Sequence, residues 1–595
     1  MCYRGRRPRL DEVPTRRLPF VIAVSVALAT GAWPAGASTQ RPVVSALPAA
    51  AAASDTTFTF YGSGFGHGVG MSQWGAYGLA LQGWTHVRIL RHFYEGTTVG
   101  PVPEGRPETF RVGLTWDRTS LHLTAHGGLV RLRVGSPTRP ARFTIANGST
   151  WTITPDGGHF AVHAGGKLLG TVGGPRTPLF ATYEWSGARV FIAEAGHPYA
   201  RGHVELNVYR TCQSCTWSLR AIGVMSRQEY LYGLGEVPSE WPMQAMQAQA
   251  VAARTYALER IEERGQHAPG CNCGLYPTSL DQAYIGYDKE LDGGGWIDAV
   301  RKSADQAVLY RGHIILANYF SSSGGHTDSS RNIWGDYLPY LRPQCDPGDY
   351  TGANPSRTWV ARLSATEVTS RLKAAGYDIG TVTSFTGITR SISSRIMEIT
   401  VNGTGGSDGT HVHLSGLSFS NALDLLDSRV FVNRNLNVTR AIRTRYDSLM
   451  CAPGPATSPK RRLPDGATQR FAAGAIYHNG RNGRTMWLRG PIYRKYTSLE
   501  GPWGLLGLPT QPVKHLPRLH GHRGRFQGGS IYLKKGPGAH ELHGRVLRFY
   551  LSRGGAWGDL GFPTSDVERP PSGGVTATFQ GGTIVCPPSE SCRVA

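Results

Sequence analysis

A carboxylic acid, Glu236, sits between two glycines and a proline in Gly233-Leu234-Gly235-Glu236-Val237-Pro238, in the turn ahead of a helix-forming stretch. A glutamate is a residue type able to give a proton to a leaving group and take one back. Glu240, four residues on, falls in the first turn of the helix, where an acid commonly serves the helix dipole. A second group is His67, framed by Gly62-Ser63-Gly64-Phe65-Gly66-His67-Gly68-Val69-Gly70. Alternating glycines allow positive φ and close backbone approach, so this imidazole is expected to face a cleft. The segment lacks both the G-x-G-x-x-G spacing of a dinucleotide site and the G-K-[ST] of a phosphate loop. The G-x-S-x-G from Gly405 to Gly409 lies in a polar turn and is set aside as a nucleophile.

His267, Cys271 and Cys273 form a third cluster, and imidazole with thiolate suits structural zinc. The alternative is a disulfide cluster joining Cys212-x-x-Cys215 to Cys271-x-Cys273, which an oxidising compartment favours. Cys586 with Cys592, and Cys345 with Cys451, are the remaining expected pairs once Cys2 leaves with the N-terminal signal.

The elements that must position these groups read as follows. A helix is expected from Glu240 through Arg264, with Ser239 to cap it, Pro242 in its first turn and Gly265 beyond its end. Met243, Met246, Ala250, Ala253, Ala257 and Ile261 recur at helical spacing and would face a core. Residues 107 to 220 alternate apolar and polar between turn residues, as in Phe110 to Leu114, Leu121 to Thr124 and Val204 to Val208, which predicts a β region. Strands at 307 to 310 and 314 to 320 lead into the loop Ser321-Ser322-Ser323-Gly324-Gly325. Helical stretches at 364 to 375 and 418 to 426 bracket strands at 391 to 401 and 410 to 414. The expected fold class is α+β, a strand-rich region with one long central helix, followed by a small repeat module.

The chain has 595 residues, more than one core usually serves, and its 40% hydrophobic residues exclude general disorder. Its 77 glycines and 38 prolines show no collagen period and point to many turns. Residues 1 to 37 read as a signal peptide, with six arginines before an apolar run and Ala35-Gly36-Ala37 as the cleavage site, and residues 38 to 55 as a disordered lead-in. No later stretch is apolar for long enough to span a bilayer. The formal charge is +22, and residues 455 to 595 hold 20 Lys and Arg against 7 acids. An exported chain so charged meets anionic wall polymers first. Zinc-finger, RNA-binding and helix-turn-helix signatures are missing, which disfavours nucleic acid.

Residues 452 to 464, rich in Pro and Gly, are expected as a linker. Beyond it, phrases opening at Phe471, Phe526 and Phe579 recur 55 and 53 residues apart, and Trp503-Gly-Leu-Leu-Gly-Leu-Pro509 returns as Trp557-Gly-Asp-Leu-Gly-Phe-Pro563. Such a period means stacked modules. Residues 465 to 595 resemble LGFP repeats, which implies retention at a cell wall.

The stretch Glu236-Val-Pro238 through Ala248-Gln249-Ala250-Val251-Ala252-Ala253-Arg254-Thr255-Tyr256 resembles the stage II sporulation protein D and amidase-enhancer family (SpoIID/LytB). Gly66-His67-Gly68 through Gln73, Ser321-Ser-Ser-Gly-Gly325 with Thr327, and Trp334 with Pro339-Tyr340-Leu341 match the same family, so the resemblance runs across residues 56 to 451. Within it lie a Gly-His-Gly segment, 58 to 99, the β-rich region, and a catalytic core, 221 to 433. The Gly-His-Gly segment usually closes the family domain and here precedes it, so the strand at 57 to 61 is expected beside 429 to 433, as in a circular permutation. The resemblance implies a lytic transglycosylase that cuts peptidoglycan glycan strands between MurNAc and GlcNAc, with Glu236 as acid and base and no second carboxylate. Its alternatives are a non-enzymatic enhancer of a wall amidase and a wall-anchored structural protein. It further implies Ser321, Ser322 and Ser323 as contacts to sugar hydroxyls and His67 as a holder of glycan or of Glu236. Gln249 and Arg254 are implied as orienting groups, with solvent exposure or a buried ion pair as the other reading. Zinc-bearing members lend support to His267, Cys271 and Cys273.

Overall fold

The computed structural model describes residues 55–183 and 187–595. The expected signal peptide and all but the last residue of the expected lead-in lie outside the described residues. The fold mixes helices with many small, mostly antiparallel sheets. Residues 109–226 build two six-stranded sheets whose inward faces share one core, including Phe110, Val112, Leu121, Leu123, Val190 and Leu206. Alternation drives this: in Leu121–His126 the apolar Leu121, Leu123 and Ala125 are buried while the intervening residues stay half-exposed.

Before this sandwich come two helices, α1 (Gln73–Leu81) and α2 (His86–Phe93). After its last strand come α3 (Arg227–Tyr232), closed by a Ser226–Glu229 capping box, and the long α4 (Met243–Arg264). Every residue of α4 from Ala245 to Leu258 is buried. Met246, Ala250, Ala253, Ala257 and Ile261 join the sandwich core, while Ala245, Ala248, Val251 and Ala252 join a second core with Leu79, Leu90 and Phe93. The expected single apolar face is therefore only half of what α4 buries: its small alanines on the other side meet a second core, and Gln247, Gln249, Arg254 and Thr255 are enclosed with them.

The helix also starts three residues later than expected. Pro242 occupies the cap position without a side-chain bond, and the Ser239 hydroxyl has no protein partner. The cause is local: the residue before a proline is pushed out of the helical region, so Trp241 cannot extend the helix backward.

The strand Thr57–Gly62 lies between Trp359–Ser364 and Val430–Val432, with Phe60 opposite Val432 and Gly62 opposite Val430. This is the neighbourhood the sequence expects for it. A parallel pair, Met71–Ser72 with Tyr319–Phe320, then ties the glycine-rich segment to the triple-serine loop.

Disulfides join Cys212 to Cys215, Cys271 to Cys273, Cys345 to Cys451 and Cys586 to Cys592. The last two are the expected pairs. The expected cross-link between two cysteine hairpins is replaced by one bond within each.

Residues 452–464 are not a free linker. Arg461–Leu463 is the edge strand of the first four-stranded repeat sheet, and Thr457 N–H donates to the Arg470 carbonyl at 2.9 Å. The helix Arg440–Ser448 packs Ile442 and Tyr446 against Phe471 and Ile476 of that repeat. Consecutive repeats then share cores: Tyr496 stacks on Phe526, and Tyr550 on Phe579. Among the described residues no helix is long and apolar enough to cross a membrane.

Candidate active site

Glu236 occupies the turn between α3 and α4, pressed against residues 283–285. Gly235 N–H donates to the Ala283 carbonyl at 2.8 Å, and Ile285 N–H to the Gly233 carbonyl at 2.9 Å. A Cβ at Gly233 would lie 2.5 Å from the Tyr284 ring, so glycine is what permits this approach. The consequence is a backbone donor on the carboxylate: Ala283 N–H reaches Glu236 Oε1 at 2.7 Å. From α1, Gln73 Nε2 donates to Oε2 and to the Glu236 carbonyl, both at 3.3 Å. Ser72 caps α1 by accepting from Gly75 N–H, which fixes where Gln73 begins the helix.

Burial pushes the Glu236 carboxyl above the usual carboxylate range, against the opposing bonds from Ala283, Tyr319 and Gln73. The side chain nonetheless belongs to a half-exposed residue. The balance that the sequence leaves open, between burial and the anion-favouring start of a helix, thus falls to burial. Tyr319, facing the carboxyl, is pushed well above its ordinary value by burial and by the Glu236 charge, so it remains a hydroxyl. Gln282 Nε2 donates to the Tyr319 hydroxyl at 2.8 Å and to the Ala253 carbonyl of α4 at 3.2 Å, while its Oε1 accepts from the Tyr230 hydroxyl at 2.8 Å. The carboxyl therefore rests on a buried polar chain anchored in α3 and α4.

His67 does not touch Glu236. Its Nδ1 accepts from Val69 N–H at 3.1 Å, so Nε2 bears the proton and donates to the Tyr319 carbonyl at 3.1 Å. Burial and the Arg395 charge pull its pKa down to about 4, keeping the ring neutral. Packed against Phe320 and Trp334, it positions the residue whose hydroxyl faces Glu236. Gly64, Gly66, Gly68 and Gly70 all have positive φ, which gives the alternating glycines their reason.

The triple serine divides. Ser321 is half-exposed, and its carbonyl accepts from Trp74 N–H at 2.9 Å. Ser322 and Ser323 are fully enclosed, their hydroxyls donating to Asp349 at 3.1 Å and Asp346 at 2.7 Å. Contrary to expectation, these two hold the loop rather than a sugar. Arg254 is likewise enclosed, donating Nη1 to the carbonyls of Ser303 and Gln306 at 2.9 Å each, which ties α4 to a neighbouring strand instead of the cleft. Gln249 is 1% exposed, and its carboxamide has no protein partner. Helical spacing sets it one turn before Ala253, whose carbonyl carries the Gln282 bond.

Rival carboxylates are committed elsewhere. Glu240 is exposed, Glu229 closes the α3 capping box, and Asp281 has an enclosed side chain, bonded to Arg264 and accepting from Tyr276 N–H at 2.7 Å. In the candidate zinc cluster both thiols are consumed by the Cys271–Cys273 bond, and His267 Nδ1 pairs with Asn272 Oδ1 at 2.7 Å. Among the described residues no group of three or more His, Cys, Asp or Glu side chains is placed to hold a metal ion.

The sequence reading did not single out Gln73, Tyr319 or Gln282, although Gln73 lies inside the glycine motif itself. It also passed over Trp74, Tyr77 and Trp241, whose ring centroids lie 4.8 to 5.2 Å apart beside Gln73 and the Glu236 turn. All three are half-exposed.

With this geometry in place, comparison with known proteins finds two families. Stage II sporulation protein (SpoIID) matches residues 217–310, and the LGFP repeat matches 506–558. An uncharacterized protein of Brachyspira hyodysenteriae is 37% identical over 123 residues, 20% of this chain and 32% of that one. The amidase enhancer of Bacillus subtilis is 32% identical over 136 residues, 23% of this chain and 17% of that one. Stage II sporulation protein D of Bacillus amyloliquefaciens is 26% identical over 197 residues, 31% of this chain and 55% of that one. The matched portions thus span between about a sixth and just over half of these relatives' own lengths. The SpoIID match contains Glu236, Gln282 and Ala283, while Gln73 and Tyr319 reach the site from outside it. The chain carries a SpoIID-family segment that holds the Glu236 turn, and an LGFP repeat in its C-terminal module.

Proposed function

We propose that the protein is a cell-wall lytic transglycosylase, exported through residues 1 to 37 and retained by its C-terminal repeats. The observation that carries this reading is Glu236 itself: one carboxyl, raised by burial, half-open, and held through Oε1 by Ala283 N–H. Oε1 takes the short Ala283 bond and Oε2 only the longer one from Gln73 at 3.3 Å, so the proton is assigned to Oε2. Oε2 gives it to the glycosidic oxygen as the MurNAc C1–O bond breaks, and the bonding electrons leave with that oxygen. The C6 hydroxyl of the same MurNAc then bonds to C1 and returns its proton to the Glu236 carboxylate. The product is a 1,6-anhydro sugar, no water is consumed, and one carboxyl completes the cycle. Trp74, Tyr77 and Trp241 offer flat apolar faces on which pyranose rings pack beside the acid.

The test is digestion of peptide-free glycan strands by the native protein and by Glu236→Gln, with products read by mass. Anhydro-disaccharides from the first and none from the second are expected; equal yields from both defeat the reading. The similarity to an amidase enhancer favours one alternative, in which the fold binds glycan and stimulates a wall amidase. Under that alternative both forms leave strands intact and accelerate an added amidase equally.

A further inference from the structure

Two adjoining cavities, of about 530 and 650 Å³, lie where residues 434–462 meet the first repeat, and they share Pro459 and Lys460. Arg434, Lys460, Arg461 and Arg470 line the first, against one acid, Glu500. Arg440 and Arg462 add to Lys460 in the second. Among the described residues none of these six cations pairs with a carboxylate. Arg434 reaches only the Thr457 carbonyl at 3.4 Å and Lys460 the Thr439 hydroxyl at 3.1 Å. Among the described lysines and arginines of the module only Arg481, Lys495, Arg553 and Arg593 pair with acids, so what distinguishes the seam is that its unmatched cations line two adjoining cavities. Burial, with the charges of Arg440 and Arg462 adding to it, lowers the Lys460 pKa.

An aromatic surface adjoins the charge. Trp503 is 52% exposed, and the Arg461 guanidinium lies 4.1 Å from its ring centroid. A lone small anion would need one cavity and no ring. Two adjoining cavities, a cluster of unmatched cations and an exposed indole fit a longer ligand that carries both charge and an apolar ring face. Four disulfides suit an oxidising compartment, where polyanions are saccharides far more than nucleic acids.

We infer that this seam binds a linear anionic saccharide, with its phosphodiester or carboxylate groups on Arg434, Lys460, Arg461 and Arg470 and a ring on Trp503. The site goes beyond the Glu236 reading and does not depend on it. It lies outside residues 506–558, where the LGFP repeat matches.

Calorimetric titration of the full chain tests it, using four probes of equal length: a phosphodiester-linked hexose oligosaccharide, an oligogalacturonate, neutral chito-oligosaccharide and single-stranded oligodeoxynucleotide. One or both of the first two are expected to bind, and which one does so distinguishes phosphodiester from carboxylate. Lys460→Gln with Arg461→Gln should weaken that binding about tenfold. Trp503→Ala should weaken it too, while Arg518→Gln with Arg569→Gln, an equal loss of charge away from both cavities, should leave it unchanged. Thermal melts confirm that each variant is folded. The proposal is overturned if neither polyanion binds, if the neutral glycan displaces the bound polyanion, if the oligonucleotide binds more tightly, or if both double variants lose affinity equally.

Discussion

Gln73 stands 163 residues before Glu236 in the chain, yet the side-chain NH2 of Gln73 serves both the carboxylate and the main-chain carbonyl of Glu236 at 3.3 Å. The first bond stabilises the anion, the second fixes the turn that carries it. Gln73→Ala should therefore lower kcat by about tenfold through loss of alignment, with KM little changed. Removing the donor also lets the Glu236 pKa rise further, so the limb on which activity falls with rising pH should shift to higher pH. Separate pH profiles of kcat and KM check this, and an unshifted limb would show that Gln73 does not reach the acid.

A second expectation concerns Glu236 without reference to substrate. Its folded-state pKa lies above the ordinary value, so between the two values the native state holds a proton that the unfolded chain has lost. Stability then falls as pH rises through that window. Glu236→Gln keeps the shape without the titration and should melt higher than native protein above the window, with the difference closing as pH falls below it. Catalysis by the same variant should drop by about 10²-fold or more. Thermal melts across pH test the first part; a pH-independent difference would count against a raised acid.

The Glu236 turn was legible in the sequence because its determinants are local: glycines for close approach, a proline, and the alanine-rich helix behind it. The start of that helix was misplaced because the restriction Pro242 imposes on Trp241 outweighed the capping propensity of Ser239. Ser322, Ser323 and Arg254 look the same in sequence whether they face a cleft or a buried partner, and Asp346, Asp349 and the carbonyls of Ser303 and Gln306 decide the matter. Gln73 and Tyr319 were hidden for a related reason. Only the parallel pairing of Met71–Ser72 with Tyr319–Phe320 brings them to one carboxyl, and two-residue strands leave no periodic trace.

The acids beneath the serine loop supply a third prediction. Ser72 and Ser322 donate to Asp349, Ser323 donates to Asp346, and all are enclosed. Burial and the Asp349 charge push Asp346 up to about 8. Unfolded aspartate titrates near about 4, so the native state retains a proton across neutral pH and loses stability as pH climbs through the folded value. Native protein should melt progressively lower from about pH 4 to about pH 8 and level off above, and Asp346→Asn should flatten that decline. A variant with the same slope across that window would place the titrating group elsewhere.

The repeats should depend on one another rather than fold as beads. The core around Tyr550, Phe562 and Leu560 of the second copy is completed by Ala577, Phe579 and Ile584 of the third. Phe579 stacks on Tyr550 at 4.8 Å, and both are almost wholly buried. Ending the chain at Arg569 removes these partners, and a large apolar side chain stripped of burial costs about 1.5–3 kcal/mol. Losing Phe579 and Ile584 together should destabilise the second copy by about 3 kcal/mol or more. Limited proteolysis should then cut within residues 514–569 under conditions that spare the first copy. If the shortened chain resists protease throughout that stretch, the copies are independent and the shared core contributes little.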